Sequence, residues 1–161
     1  MTVLAPMRPA VFSAYLDHAT AGYAQDNVAA GRWPQEGALE RARADFEASL
    51  PQGLATPDNY LFEIRAGDAG PTVGSLWFAV EQRHGARCAF VYDVEIGAAW
   101  RRQGHALRAF QALESLVAEL GIATIGLHVF AHNADAQALY AKLGYGVTGL
   151  NMAKHLDAPP P

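Results

Sequence analysis

Apolar positions recur at steps of three and four through the first fifty residues, then at steps of two or in short unbroken runs through the next forty. Phe12, Tyr15, Leu16, Ala19 and Tyr23 form one apolar face between Val11 and about Ala30, which predicts a first helix ended by Gly31. After Arg32-Trp33-Pro34, the stripe Leu39, Ala42, Phe46 and Leu50 predicts a second helix, with Pro34 in its first turn and Pro51-Gln52-Gly53 closing it. No long strand is predicted before residue 55, although Val3-Leu4 suits the end of a short one. The turn signal Thr56-Pro57-Asp58 then introduces three strands, Tyr60 to Arg65, Val73 to Val80 and Arg87 to Ile96. Gly67 to Pro71 and His84-Gly85-Ala86 connect them, and connections this short make the strands antiparallel neighbours.

The connection after Ile96 breaks that rhythm. Ala106, Phe110, Leu113, Val117 and Leu120 form a helical stripe, with Arg108, Gln111, Ser115 and Glu119 facing outward and Gly121 as the cap. A strand from Thr124 to Phe130 follows, so strand, helix and strand predict a right-handed βαβ unit with parallel strands. A last helix from about Ala134 to Leu143 stops at Gly144, and Tyr145 to Met152 predicts a final strand. Residues 157–161, which include Ala158-Pro159-Pro160-Pro161, read as a flexible tail behind a single domain over residues 1–156. No internal repeat or linker divides that domain.

Composition narrows the class. The chain has 161 residues, 51% of them hydrophobic, enough for one domain with a full core. Twelve Lys and Arg face sixteen Asp and Glu, which argues against a nucleic-acid partner and makes any basic feature local. The lone Cys88 sits in the apolar run Cys88-Ala89-Phe90-Val91-Tyr92, so a disulfide framework is excluded and a buried thiol in a reducing compartment is expected. No apolar run approaches the roughly 18 residues of a membrane span, and Met1 to Ala10 lacks the apolar core of a signal peptide. A cytoplasmic protein without a membrane partner is expected.

The local basic feature is Arg101-Arg102-Gln103-Gly104-His105-Ala106, at the mouth of the βαβ crossover. Free N–H groups at a helix start beside two guanidinium groups make an anion cradle, and open α/β sheets bind ligands at that place. A P-loop would need Lys and then Ser or Thr where this chain has His105-Ala106. A dinucleotide fold would need further glycines and an acidic end to the next strand. Gly104 stands alone, and that strand ends Val129-Phe130-Ala131-His132.

Two more constellations carry chemistry. Asn133 and Tyr140 are seven residues apart, nearly two helical turns, so they share a stripe and can touch one extended ligand. Asn133 equally suits a helix N-cap, and Tyr140 a packing role. Asp93 and Glu95 lie two apart, on one strand face unless a β-bulge breaks the parity. The pair suits either a half-exposed strand face or a carboxylate that takes a proton, directly or through water, from an ammonium group. His128 and His132 span a strand and its exit, with no carboxylate or Cys to complete a set, so no metal site is predicted. His128 suits a pocket wall or the core.

Arg-x-x-Gly-x-Ala directly after a strand, the block from Asn133-Ala134 through Leu139-Tyr140 to Leu143-Gly144-Tyr145, and the element order together resemble the GCN5-related N-acetyltransferase (GNAT) superfamily. The resemblance runs from the first helix to Met152 and is sharpest between Tyr92 and Tyr145. It implies an α/β fold: a mixed, mostly antiparallel central sheet with helices on both faces and one parallel βαβ crossover. It also implies an acetyl-coenzyme A-dependent N-acetyltransferase acting on a primary amine. Carried over residue by residue, Arg101, Arg102, Gln103, Gly104, His105 and Ala106 would hold the coenzyme A pyrophosphate. Val94, Glu95 and Ile96, through their backbone, and Asn133 would meet the pantetheine arm. Tyr140 would protonate the departing thiolate, and Asp93, Glu95 or water would serve as base. Tyr23, Asn27 and Trp33 would wall the acceptor site. Cys88 lies upstream with no activating base, which favours direct attack over a ping-pong route. The alternative is a coenzyme A-binding sensor or interaction module, which has no use for Asp93, Glu95 and Tyr140. The partner is expected to be a small-molecule or peptide amine, and the protein a monomer or homodimer.

Overall fold

Five strands hydrogen-bond in chain order: β1 (Val3–Pro6), β2 (Asn59–Arg65), β3 (Thr72–Arg83), β4 (Ala86–Ile96) and β5 (Ile125–Leu127). This computed structural model describes residues 1–156. The first three pairings are antiparallel and β4 pairs with β5 in parallel, so the mixed sheet predicted from the chain is the one that forms. His84 (φ 51°) and Gly85 (φ 81°) both take positive φ between β3 and β4, the two-residue hairpin geometry whose twist matches the strands. Helices α1 (Pro9–Ala29) and α2 (Ala38–Ser49) precede β2, α3 (His105–Glu119) joins β4 to β5, and α4 (Ala134–Leu143) follows β5.

Strand alternation divides the core between the two faces of the sheet. Phe62, Ile64, Leu76, Phe78 and Val91 pack with Phe110, Leu113 and Val117 of α3 and Tyr140 of α4. Leu61 and Trp77 point the other way, into a cluster with Tyr15 and Ala19 of α1 and Phe46 of α2. No described helix is long and apolar enough to cross a membrane.

The start of α1 is tied to the sheet by a carboxylate. Glu63 of β2, 2% exposed, accepts from Arg8 Nε (2.9 Å), Nη2 (2.7 Å) and N (3.1 Å) and from Thr72 Oγ1 (2.9 Å). The Arg8 hydrogen bonds, outweighing burial, hold its carboxyl down at about 2. The folded state therefore binds the proton less tightly than the unfolded chain. The stability this supplies is full above the ordinary value of 4.5 and is lost as pH falls through about 2. Glu63→Gln is expected to lower stability at pH 7 by on the order of 2 kcal/mol, and urea melts of both proteins at pH 7 and pH 3 should show the gap shrinking with acid.

Four expectations are corrected. Pro34 lies in the connecting turn, not in the second helix, because Gly37 in the left-handed region (φ 75°) sets the start of α2 at Ala38. That helix docks through small residues, Ala38 and Ala42 against Ala24 of α1, which turns Leu39 outward to 37% exposure. Strand β5 is limited to Ile125–Leu127, within the predicted span of 124–130. The final strand, Tyr145 to Met152, does not form. Tyr145 packs on Phe110 and Tyr140 at centroid distances of 6.1 and 5.7 Å, but residues 146–156 join no ladder. Gly146 and Gly149 interrupt the apolar run, and Val147 and Leu150 are three apart, so one strand face cannot bury both. The predicted tail, 157–161, lies outside the described residues.

Candidate active site

A β-bulge opens the site. In the β3–β4 ladder Trp77 pairs with Asp93 and Phe78 with Val91, leaving Tyr92 as the extra residue. The β4–β5 pairing ends at Val91 opposite Leu127, one residue before the bulge. From there a cleft of about 770 Å³ runs between Val91–Glu95 of β4 and Leu127–Phe130 of β5 and its exit, a size suited to a small-molecule or cofactor site. His18, Tyr23 and Asp26 of α1, Asp45 and Phe46 of α2, Arg101, Asn133 and Tyr140 complete its wall.

Because the bulge precedes the carboxylate pair, Asp93 and Glu95 keep one parity and both meet α1. The Tyr15 hydroxyl donates to Asp93 Oδ2 at 2.8 Å, and His18 Nε2 lies 2.8 Å from Glu95 Oε2. Residues three apart on a helix thus match residues two apart on a strand. Asp93 keeps part of its surface open to the cleft, yet most of its surroundings are protein. Burial pushes its carboxyl up to about 6, against the pull of the Tyr15 hydrogen bond, and the charge of Glu95 adds to the rise. The hydrogen bond and charge of Glu95 raise His18. Arg101 Nη2 stands 3.8 Å from Glu95 Oε1.

Tyr140 is 9% exposed, sits edge-on to Phe110 at 5.4 Å and lines the cleft. Burial first, and the charge of Asp93 second, push its phenol up to about 12, so the hydroxyl stays protonated. Asn133 is the α4 cap, its Oδ1 accepting from Ala136 N at 3.3 Å, and the residue also lines the cleft. The helix thus presents Asn133 and Tyr140 to one cavity.

The cradle adjoins Arg101. Gly104 caps α3 at φ 81°, and a Cβ there would come within 2.5 Å of Arg108 Nη1. Arg108 N, bonded to Gly104 O at 3.1 Å, closes the first helical turn. The amides before it, from Gly104 through Ala106 to Leu107, are the ones a helix start leaves without intrahelical partners. Arg101 Nε donates to Ile96 O (3.0 Å) and Arg108 Nη2 to Gln103 O (2.9 Å), which fixes the loop. Arg102 takes positive φ (61°) and is exposed, as is Gln103, whose amide donates to Ala99 O at 3.3 Å. The His105 side chain turns away. It is 6% exposed, bonded to Thr2 Oγ1 at 3.0 Å and edge-on to Trp100, so only its backbone belongs to the loop.

Of the predicted acceptor wall, Tyr23 lines the cleft. Trp33 stands behind it, edge-on at 5.4 Å, and Asn27 is wholly buried, its amide donating to Tyr23 O at 2.9 Å. His128 is on the cleft wall and exposed, and His132 bonds Asp26 at 3.1 Å, tying the β5 exit to α1. Tyr15, His18, Asp26, Asp45, Phe46, Trp77 and Tyr92 were not picked out as site residues from sequence. The one available signal was that Tyr15 and His18, three apart, share a helix face.

Comparison with known proteins gives the family and the fold. Residues 19–145 match the family described as the Acetyltransferase (GNAT) family. The chain is 37% identical over 157 residues to the uncharacterized N-acetyltransferase YycN of Bacillus subtilis (strain 168), covering 97% of this chain and 100% of that one. The crystal structure of YycN superposes with a TM-score of 0.92 at 35% identity, over 98% of this chain and 100% of that one. A mycothiol acetyltransferase of Pseudarthrobacter chlorophenolicus is 30% identical over 76% of this chain, which spans 37% of that protein. The family match over residues 19–145 and the relative that is 37% identical over its whole length show that the chain belongs to the GNAT family of acetyltransferases.

Proposed function

We propose that the protein moves the acetyl group of acetyl-coenzyme A to a primary amine of a cationic acceptor, by direct attack. The observation that carries this reading is the sorting of charge around the cleft. Arg101, 3.8 Å from Glu95, begins the loop to the open amides of α3, which adjoin the cleft wall without being part of it, and Asp26, Asp45, Asp93 and Glu95 line the cleft. The first suits a pyrophosphate, the second an ammonium group. Gly104 supports the cradle by its left-handed turn, which leaves room beside the loop for the Arg108 guanidinium that a Cβ would meet.

Within that reading, the amides from Gly104 to Leu107, with Arg101 and Arg102, hold the pyrophosphate. The β4 backbone from Val94 to Ile96, unpaired toward β5 beyond the bulge, and Asn133 meet the pantetheine. Bound acetyl-coenzyme A supplies a thioester carbonyl open to nucleophilic attack. Asp93 takes a proton from the acceptor's ammonium, directly or through water, because an amine attacks only when neutral. As the C–N bond forms and the C–S bond breaks, Tyr140 gives its proton to the leaving sulfur and regains one, directly or through water, from the nitrogen, which sheds its second proton to become the amide. Glu95, paired with His18, keeps negative charge beside Asp93. Cys88 is buried and lies off the cleft wall, so no thiol is placed to carry an acetyl group between two half-reactions.

Calorimetry with acetyl-coenzyme A, followed by thiol release across a panel of amines, tests the proposal. Expected are micromolar binding and release that depends on the amine. Absence of binding at high micromolar cofactor overturns the donor assignment. Binding without amine-dependent release from any panel member leaves a coenzyme A-binding module and overturns the catalytic one.

A further inference from the structure

The residue just ahead of β1 reaches the loop that opens α3. Thr2, 8% exposed, places its hydroxyl oxygen 2.9 Å from Arg108 Nε and 3.0 Å from His105 Nδ1, although both lie more than a hundred residues along the chain. The three groups satisfy one another. The oxygen accepts from the guanidinium, and its own hydrogen is left for the imidazole, which is buried edge-on to Trp100. Val3, the next residue, pairs with Arg65 of β2, so the sheet sets where Thr2 stands.

From Thr2 the contact passes into the loop backbone. The same Arg108 guanidinium donates through Nη2 to Gln103 O at 2.9 Å. In a trans peptide the C=O and the following N–H point in opposite directions. A Gln103 carbonyl drawn to Arg108 therefore turns the N–H of Gly104 away from it, to the open side of the loop. The guanidinium also accounts for the glycine: a Cβ on Gly104 would come 2.5 Å from Arg108 Nη1 and 3.4 Å from Cζ. Its planar fork sends the Nε and Nη2 hydrogens out at a fixed angle, one to Thr2 and one to the loop. A lysine ammonium carries the charge without that geometry.

We propose that Thr2 is a positioning residue for the donor site: through Arg108 it holds the Gln103–Gly104 peptide so that the first open amide of α3 faces the coenzyme A pyrophosphate. The inference rests on the reading of the α3 amides as the pyrophosphate cradle. It assigns the Arg108 guanidinium to the loop and not to the phosphates, because Nε and Nη2 are already bonded within the protein.

The test uses the full chain, with calorimetry for coenzyme A and thiol release from two donors, acetyl-coenzyme A and S-acetylpantetheine, which has the arm without the pyrophosphate. Thr2→Val keeps the shape and removes the hydroxyl. It should weaken coenzyme A about tenfold and raise KM for acetyl-coenzyme A by the same factor. Turnover at saturating donor, and kcat/KM for S-acetylpantetheine, should stay within about twofold of the parent. Thr2→Ser, which keeps the hydroxyl, should match the parent. Arg108→Lys should lose as much affinity as Thr2→Val, and the double variant no more than the greater single loss, because both act through one contact. Should Thr2→Val not fold, Arg108→Lys is read in the same way. An Arg108→Lys protein of full affinity, losses that multiply in the double variant, or an equal loss with S-acetylpantetheine overturns the positioning role. So does Thr2→Val affinity within twofold of a parent that binds, a result that leaves the donor assignment standing. A parent that binds no coenzyme A overturns that assignment and the role of Thr2 together.

Discussion

Replacing Tyr140 by Phe is expected to lower turnover about a hundredfold, the low end of what a general acid contributes, while the affinity for coenzyme A stays within about twofold. The substitution removes one oxygen and leaves the ring, which keeps its edge-on contacts with Phe110 and Tyr145. Binding held by the α3 amides and Arg101 has no reason to change. The phenol, pushed up to about 12 by burial, is protonated throughout the working range, so it enters each turnover able to give a proton. The effect stays at the low end because a thiol of ordinary pKa about 8.5 leaves tolerably well as the thiolate near neutrality. Tyr145→Phe is the control. Its hydroxyl is buried without a partner and does not line the cleft, so its loss should leave turnover unchanged. Equal losses of turnover and cofactor affinity in Tyr140→Phe would remove the acid role.

Local signals carried the elements, and tertiary contacts decided what the sequence left unread. Asn133 and Gly144 bracket α4 at Ala134–Leu143, where cap and stop residues predicted it, because capping satisfies backbone groups within a few residues of chain. The α2 stripe misled because Leu39 outweighs Ala38 by hydrophobicity, whereas close helix packing prefers the smaller residue against Ala24. The Asp93/Glu95 pair was legible as two residues on one face. Their partners were not, since Tyr15 and His18 lie 78 and 77 residues away and reach them only through the docking of α1 on β4. The bulge at Tyr92 arises from pairing between strands and leaves no local sequence mark of its own. The final strand failed because Gly146 and Gly149 interrupt its apolar run, and residues 146–156 pair with neither free edge of the sheet, β1 or β5.

The second large effect is expected from Asp93→Asn, which should lower kcat/KM by about 10² to 10³ and at the same time stabilise the fold. In the parent, kcat/KM should fall as pH drops below about 6, where the buried carboxyl gains its proton and can no longer take one from the acceptor. In the variant that acid limb should vanish from the residual rate. Stability moves the other way. Burial lifts Asp93 from the ordinary 3.8 to about 6, so the folded state binds the proton more tightly than the unfolded chain. Its contribution is therefore most favourable below 3.8 and is lost as pH rises through about 6, leaving the charged carboxylate a net cost at pH 7. Asparagine keeps an oxygen to accept from the Tyr15 hydroxyl and carries no charge to bury. It should raise stability at pH 7 by about 2 kcal/mol, or roughly 5 °C in Tm for a chain of this size, with the gain shrinking toward pH 4. A residue that merely held the site together would lose activity and stability in step. Glu95→Gln separates the two carboxylates: if the acid limb disappears there and persists in Asp93→Asn, the base is Glu95, and the raised Asp93 serves only to hold Tyr15.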